Sequence, residues 1–125
     1  MCVVLPVGTH DGSFHCDEVL ACYLLRYCEG SKELLHPHCE IVRTRKEEVL
    51  ATCQIVVDVG AVYDPSTGRF DHHQRSFTDT FDKAHKTKLS SAGLIYKHFG
   101  KALIAQLVPE LSRDNVDTVF AKIYD

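Results

Sequence analysis

The feature that most restricts the fold is the segment at residues 54–59, whose apolar run consists of Ile55, Val56 and Val57. A strand with one solvated face alternates polar and apolar residues, whereas a strand covered on both faces is apolar throughout. The run is shorter than a buried helix and rich in β-branched side chains. It is therefore predicted to be a central strand of a parallel sheet.

The segments before this strand predict the rest of the sheet. Residues 3–7 form a short apolar run, typical of a first buried strand, and residues 39–44 predict a second strand. Between them, apolar residues recur at helical spacing from Asp17, and Gly30 gives the helix a stop signal. Residues 45–52 are predicted to form two helical turns. The order β-α-β-α-β predicts an α/β fold, a parallel sheet with right-handed crossovers and flanking helices.

The second half of the chain is predicted to be a turn, a loop and helices. Residues 64–68 have a Pro early and a Gly late, as a turn does, and residues 76–88 predict a polar, charged and mobile loop. Helices are expected at residues 92–99, 101–107 and 112–124, with Ser90 or Ser91 capping the first and Gly100 ending it. The last pattern runs to the final residue without a stop signal, which indicates part of a longer protein.

Length and composition limit the classes of protein. A chain of 125 residues suits one domain, and 45% apolar with 25% charged residues is typical of a globular protein. No segment has the roughly 18 consecutive apolar residues of a membrane span, and no targeting segment is visible at the start. The net charge of −3 argues against whole-surface attraction to nucleic acid but allows a local site. Six cysteines without a CxxC pair indicate small buried side chains in a reducing compartment.

Metal-ligand residue types occur in three clusters that follow predicted strands or turns. The clusters are residues 10–17 with His10, Asp11, His15 and Asp17, residues 58–60 with Asp58, and the triplet Asp71-His72-His73. In open α/β sheets, ligands collect at the carboxyl ends of the strands. Carboxylates and imidazoles without thiolates suit Mn²⁺ or Mg²⁺ better than Zn²⁺. The sequence therefore predicts a divalent-metal site at one edge of the sheet.

Two ions would give this site hydrolytic chemistry. Ions roughly 3.5–4 Å apart can activate one water molecule and hold a phosphoryl oxygen between them, which requires a bridging carboxylate. Asp58, alone at the end of the central strand, is the best candidate for the bridge. Taken singly, Asp58 could cap a turn, His10 and Asp11 could lie in a solvated loop, and adjacent histidines occur by chance. Their joint placement at strand ends favours the metal site.

Asp71-His72-His73 also matches the signature of the DHH phosphoesterase superfamily. Within it, the strings at residues 8–18, 57–64, 69–74 and 89–96 resemble those of the MYG family, UPF0160. This resemblance implies that residues 1–125 form the truncated first part of a DHH-type domain, followed in the family by a C-terminal domain. It also implies metal-dependent phosphodiester hydrolysis, a 3′-to-5′ exonuclease activity on single-stranded RNA, and a location in the nucleus or mitochondrion.

The resemblance assigns roles to individual residues. His10, His15 and Asp17 would ligate metal, Asp58 would bridge two ions of Mn²⁺ or Mg²⁺, and His72 would ligate the second ion. Asp71 would orient a neighbouring imidazole and His73 would face the scissile phosphate. His15 departs from the superfamily pattern, which has an Asp at that place. The family's next metal-binding Asp falls beyond residue 125, so an inactive fragment is one alternative.

Substrate contacts are less specifically indicated. Lys88, Ser90 and Ser91 lie at a predicted helix start, where free N–H groups could hold a phosphate, although a solvated loop explains them equally. Tyr63 could stack on a base or pack in the core. Arg43, Arg45 and Lys46 could contact a nucleic-acid backbone, although a solvated strand end also explains them. The ligand-type residues His36, His38 and Cys39 are expected to form a plain loop.

Two other functions are alternatives. A hydrolase of a small phosphoanhydride or a cyclic dinucleotide would need the same metal site. A binding module that kept the fold without catalysis would not need intact ligands. The sequence leaves the oligomeric state open.

Overall fold

The computed structural model describes residues 6–27 and 39–125, in which five short strands form one sheet. The strands are β1 (Val7–Thr9), β2 (Ile41–Arg43), β3 (Ile55–Val57), β4 (Tyr63–Asp64) and β5 (Arg69–Phe70). Their order across the sheet is β2-β1-β3-β5-β4. All neighbours pair in parallel except β4, which pairs antiparallel with β5 at one edge. The predicted α/β class with a mainly parallel sheet is confirmed.

Helices cover the sheet and pack on one another. They are α1 (Cys16–Tyr27), α2 (Glu47–Leu50), α3 (Ser91–Leu107) and α4 (Arg113–Tyr124), and residues Pro65–Thr67 form one turn of 3₁₀ helix. Helix α1 packs against α3, and α3 packs against α4. Ser90 and Ser112 cap α3 and α4 by accepting hydrogen bonds from Gly93 N and Asn115 N. These caps satisfy N–H groups that a helix start leaves unpaired.

Strand β3 is covered on both faces, as its apolar sequence predicts. Ile55 and Val57 belong to the main core, which lies between the sheet and helices α1, α3 and α4. Val56 points to the other face, where it packs with Leu50 and Cys53 in a smaller cluster. Successive side chains of a strand point to opposite faces, so a strand buried on both sides needs an unbroken apolar run.

The glycine at position 100 does not end a helix, which corrects the prediction of two helices at residues 92–99 and 101–107. Helix α3 continues through it from Ser91 to Leu107. A Cβ atom at Gly100 would lie 2.8 Å from the Phe120 ring and 2.9 Å from the Tyr96 ring. Gly100 therefore serves the close packing of α3 on α4, and the sequence signal of a stop was wrong.

Other element bounds differ from the prediction in smaller ways. Strand β1 includes Gly8 and Thr9, which the sequence assigns to a loop, because pairing with β2 and β3 continues there. Helix α2 has one turn instead of two, and β4 was not predicted because its two residues depend on pairing with β5. Residues 3–5, the stop at Gly30, and His36 and His38 lie outside the described residues.

The loop at residues 76–88 is attached to the core, whereas its polar sequence predicts a mobile loop. Phe77 and Phe81 are buried, and the Phe81 ring stacks on that of Tyr124 with centroids 3.9 Å apart. His85 lies 2.7 Å from a carboxylate oxygen of Asp82 and 3.0 Å from one of Asp125. Two aromatic residues within a charged segment thus anchor it.

The cysteines in the described residues are all free, and Cys39 and Cys53 are buried. Burial raises the pKa of Cys22 to about 12, so its thiol stays protonated and unreactive at neutral pH. This agrees with the prediction of small buried side chains for Cys39 and Cys53, whereas Cys16 is exposed at the start of α1 and corrects it. Within residues 6–27 and 39–125, no helix has the length and apolar character needed to cross a membrane.

We predict that Gly100→Ala destabilises the fold even though alanine is the better helix former. The added methyl would have to displace the rings of Tyr96 and Phe120, and such overpacking costs about 1–3 kcal/mol. The comparison is Ala105→Gly at an exposed position of α3, which measures helix propensity alone and should cost about 1 kcal/mol. Urea unfolding of the two variants checks this. A Gly100→Ala variant more stable than the parent would contradict the packing role.

Candidate metal centre

The three predicted ligand segments meet at one sheet edge because their strands are neighbours. His10, Asp58 and Asp71 are each the first residue after a strand, namely β1, β3 and β5. These three strands are adjacent and parallel, so their carboxyl ends lie side by side. The register Val57↔Phe70 places Asp58 beside Asp71 directly. The convergence expected from the sequence is thus present in the fold.

Two groups of ligand-type side chains overlap at this edge. The ligand atoms within each group all lie within 4.8 Å of one another. The first cluster consists of His10, His15, Glu18 and Asp58, and the second cluster consists of Asp58, Asp71, His72 and His73. Asp58 is the residue that belongs to both.

The two oxygens of Asp58 face different clusters. Its Oδ2 atom lies 3.5 Å from His10 Nε2, whereas its Oδ1 atom lies 3.3 Å from His72 Nε2. The side chain is buried, and its backbone has a φ of 58° in the left-handed region. Aspartate enters this region more readily than most residues. This backbone turn lets a carboxylate at the end of β3 sit between the clusters.

Buried polar atoms of the first cluster lack hydrogen bonds to the rest of the described chain. Both ring nitrogens of His10 and the Oδ1 atom of Asp58 have no hydrogen-bond partner among the described residues. Leaving such a group unpaired costs about 1–3 kcal/mol. Adjacent ligands of a six-coordinate ion, each about 2.1 Å from it, are about 3.0 Å apart. The separations of 3.3 and 3.5 Å at Asp58 are close to that spacing, so the donor set fits divalent cations.

Glu18 is a member of the first cluster that the sequence analysis missed. Its carboxylate is buried, and both its oxygens share the hydrogen bond from His15 N, at 2.9 and 2.8 Å. The carboxylate also lies 3.5 Å from His10 Nε2. Burial raises the pKa of Glu18, but the His15 N–H and the nearby His10 and His15 outweigh it and leave the pKa lowered. The available signal was an acidic residue at the third position of a helix, which caps the helix start.

Asp17 lies against His72 instead of joining the first cluster with which the sequence groups it. Its Oδ2 atom is 3.0 Å from His72 Nε2. The same carboxylate accepts hydrogen bonds from Ala92 N at 2.7 Å and Ser91 N at 3.2 Å. Asp17 therefore joins the start of α1 to the start of α3 and to the second cluster.

The same contacts bear on the predicted phosphate site at Lys88, Ser90 and Ser91. The N–H groups of Ser91 and Ala92 are not free, because they donate to Asp17, and that of Gly93 donates to Ser90 Oγ. Ser91 is buried, while Lys88 is exposed. A phosphate at these N–H groups would have to displace the Asp17 carboxylate, which corrects the expectation of free donors.

Asp71 organises the backbone around the second cluster. Its buried carboxylate accepts hydrogen bonds from Ala61 N at 2.7 Å and His72 N at 2.8 Å, and His73 Nδ1 donates to it at 2.6 Å. The hydrogen bond to Asp71, and then the charges of Asp71 and Asp58, raise the pKa of His73. The His73 side chain is 60% exposed, so a buried carboxylate orients an imidazole that solvent can reach.

The surroundings of Asp58 disfavour its charged form, whereas those of His73 favour its charged form. Burial raises the pKa of Asp58, the neighbouring charge of Asp17 raises it further, and the three histidines only partly oppose the shift. The cation-free fold thus disfavours the ionised form of this carboxylate. A bound cation would remove that cost.

A cleft of about 450 Å³ opens onto the clusters. It is lined by His10, His15, Asp58, Asp71 and His73, with the Val59–Ala61 turn and Arg45 along its walls. Arg45 pairs with Asp11 at 3.1 Å on the rim. Tyr63, in contrast, packs on Phe70 and Phe77 and hydrogen-bonds His98 at 2.8 Å, so the structure favours its core role.

Comparisons with known proteins agree on one family. The model of an uncharacterised protein family, UPF0160, named for the MYG1 exonuclease, matches residues 6–125. The chain is 54% identical to human MYG1 exonuclease and 52% identical to the mouse protein, in both cases over 95% of the chain and 32% of the relative. It is 48% identical to the MYG1 protein of Dictyostelium discoideum over 97% of the chain and 35% of that relative. The chain thus spans about a third of these relatives, and no solved structure matches it.

We predict that Asp58→Asn has opposite effects on stability with and without a divalent cation. With EDTA, the variant should melt at the same temperature as the parent or higher, because it removes a buried carboxylate whose ionised form the fold disfavours. With Mn²⁺, the parent should gain stability by about 2.7 kcal/mol at a concentration 100 times Kd, and the variant should gain far less. Thermal melts in both buffers check this.

The matched control for that experiment is Asp117→Asn, which removes an exposed carboxylate paired with Lys101. Its response to Mn²⁺ should equal that of the parent. An Asp58→Asn variant that Mn²⁺ stabilises as much as the parent would show that the Asp58 carboxylate does not hold the ion.

We also predict that Asp71→Asn lowers the pKa of His73, because the main cause of its raised value is the hydrogen bond to Asp71. The raised pKa adds stability that is fully present below about pH 6.5 and is lost as the pH rises through the folded-state value. The variant should lose this increment. NMR titration of the metal-free protein measures the change, with His85 as internal control, since Asp82 and Asp125 hold its pKa up independently. An unchanged His73 midpoint would contradict the assignment.

Proposed function

Because this chain belongs to the MYG1 exonuclease family, UPF0160, we propose that it carries the metal centre of a DHH-type phosphodiesterase. In its full-length form, this enzyme removes nucleotides from the 3′ ends of single-stranded RNA. The name exonuclease is that of the mammalian relatives, of which the chain spans about a third. The activity of the whole protein is therefore part of the proposal.

The observation that carries the proposal is the Asp58 carboxylate, whose two oxygens face different ligand clusters. One ion would be held by His10, Asp58 and the side chains of His15 or Glu18. A second ion would be held by Asp58, His72 and Asp17. This assignment keeps the ligands expected from the sequence and adds Glu18. Imidazole and carboxylate donors suit Mn²⁺ or Mg²⁺.

Each group of the site has a distinct task in this proposal. Divalent cations, when bound, lower the pKa of water and withdraw charge from phosphoryl oxygens. His73 uses Nδ1 to donate to Asp71, which leaves Nε2 for a phosphoryl oxygen of the substrate. Its raised pKa favours the imidazolium, which stabilises the charge that develops on the phosphoryl oxygens.

Asp71 acts through other groups in this proposal, and Asp17 combines a positioning task with its place among the ligands of the second ion. Asp71 fixes the ring of His73 and the turn at Ala61, and Asp17 fixes His72 against the start of α3. Such supporting partners orient ligands, and their loss typically costs 10- to 100-fold in metal affinity or activity, roughly. A reaction that depends on placing two metal ions and the His73 imidazolium around a phosphate needs this rigidity.

We predict that the full-length protein releases mononucleotides from the 3′ end of a 5′-labelled single-stranded RNA when Mn²⁺ is present. Asp58→Asn and His73→Ala should each lower kcat by about 100-fold or more, because each removes charge stabilisation of the reacting phosphate. Asp117→Asn is the surface control and should keep the parental rate. Denaturing gels that resolve single nucleotides measure both the rate and the cleavage pattern.

The pattern of products decides between the possible outcomes. A ladder that shortens one nucleotide at a time supports the exonuclease. Internal fragments in place of mononucleotides would overturn the 3′-to-5′ assignment, and an undiminished rate with EDTA would overturn the metal centre.

A further inference from the structure

Phe14 is the most exposed large apolar side chain in residues 6–27 and 39–125, at 75% of its accessible surface. It lies in the loop between β1 and α1, directly before His15 and four residues after His10. Single exposed apolar residues are common and need no explanation by themselves. The position of this ring, beside two side chains of the candidate metal centre, makes its surroundings informative.

The Phe14 ring has a fixed cation against one face. The guanidinium carbon of Arg43 lies 4.0 Å from the ring centroid, a distance at which the cation attracts the π electrons. Arg43 is itself held, because its Nη2 atom donates to Gly12 O at 2.7 Å and its Nη1 atom lies 3.6 Å from Glu18 Oε1. The ring and the guanidinium therefore form an ordered pair, referred to below as the Phe14–Arg43 platform.

The platform is connected to the metal centre through one carboxylate. Glu18 lies 3.6 Å from Arg43 through Oε1 and 3.5 Å from His10 Nε2 through Oε2. Arg43 also holds the loop that carries His15, through its hydrogen bond to Gly12 O. A group resting on the ring would thus lie beside the phosphate that the centre is proposed to bind.

The platform also lines a groove of about 400 Å³. This groove adjoins the metal cleft, because its lining residue Glu18 lies 3.5 Å from His10 Nε2, and His10 lines the cleft. Phe14 and Arg43 line this groove together with apolar side chains that include Val19, Cys22 and Ile41. A flat, partly apolar group next to a phosphate matches this arrangement, and a nucleobase is such a group.

We propose that the Phe14–Arg43 platform stacks on the nucleobase adjacent to the scissile phosphate. This inference rests on the proposed phosphodiesterase function and specifies its substrate class. Aromatic side chains stack on every base, because each has a π face, so the platform would bind nucleotides without selecting a sequence. It would favour nucleosidic substrates over simple phosphate esters or inorganic phosphoanhydrides, which have no base to stack.

The test uses the full-length protein with Mg²⁺ and a dinucleotide that carries the fluorescent base 2-aminopurine and a phosphorothioate linkage to slow hydrolysis. Stacking on Phe14 quenches this fluorophore, so binding by the parent should lower the fluorescence. Phe14→Ala should abolish the quenching and weaken binding at least fivefold, roughly the lower limit for a base–aromatic stack. Phe14→Tyr should restore both, because it keeps the ring.

The matched control is Tyr27→Ala. It removes a half-exposed aromatic ring at the last residue of α1, at the end of the helix that is far from Phe14. It should keep the parental quenching and affinity. A second measurement compares kcat/KM on the normal dinucleotide and on one with an abasic 3′ residue. The parent should prefer the normal substrate, and Phe14→Ala should lose that preference while keeping its rate on the abasic one.

The outcomes separate this inference from the function on which it rests. If the parent neither hydrolyses RNA nor binds the dinucleotide with Mg²⁺, the proposed function and the platform are both overturned. If the parent hydrolyses RNA while Phe14→Ala keeps the quenching and the preference for a base, only the platform is overturned. A Phe14→Ala variant with a lower melting temperature but unchanged quenching has the same meaning, because Phe14 would then be structural.

Discussion

A single buried carboxylate, that of Asp58, links both halves of the site and depends on the sheet for its position. It follows the buried strand β3, and its backbone N–H donates to Phe70 O at 3.3 Å, which continues the parallel ladder by one residue. The chain then turns through left-handed backbone at Asp58 and Ala61. Such strain usually persists only where the surrounding structure enforces it, often at functional sites. Here the enforcing contacts are the ladder to β5 and the hydrogen bond from Ala61 to Asp71.

The polar groups of this edge, which are buried or partly buried, fall into two kinds according to whether backbone groups satisfy them. Asp71 and Asp17 use their oxygens to accept hydrogen bonds from backbone N–H groups, and so hold loops and helix starts in place. His10 and Asp58 keep buried atoms without hydrogen-bond partners among the described residues. Since an unpaired buried polar atom is costly, a fold tolerates it where a ligand completes the coordination. The satisfied oxygens of Asp71 and Asp17 therefore fix the backbone around the site, whereas the unsatisfied atoms of His10 and Asp58 have no other task in the described chain than to bind a ligand.

The sequence predicts the parallel strands β1, β2 and β3 and the ligand-type residues at their ends better than the short strands β4 and β5. The apolar run of β3, and the His10 and Asp58 that follow β1 and β3, depend on local pattern and on the geometry of parallel sheets. Glu18 and Gly100 escaped prediction because their roles depend on tertiary contacts. Glu18 looks like an ordinary residue of a first helical turn until it is seen to face His10, and Gly100 carries the same local signal as a helix stop. The anchoring of Phe77 and Phe81 likewise requires knowledge of which surfaces they meet.

Tyr63 and Phe14 are the two aromatic residues that could stack on a base, and they differ in how far their rings are exposed. Tyr63 follows the turn that begins at Asp58, but its ring is packed on Phe70 and Phe77 and its hydroxyl is engaged by His98. Phe14 has no polar group to satisfy, yet it stands in solvent over a guanidinium that two further contacts hold in place. Exposing an apolar ring forgoes roughly 1.5–3 kcal/mol of burial. A fold that already buries four other phenylalanines at positions 70, 77, 81 and 120 could have buried this one too, so its place beside the candidate metal centre favours the proposed ligand that covers it.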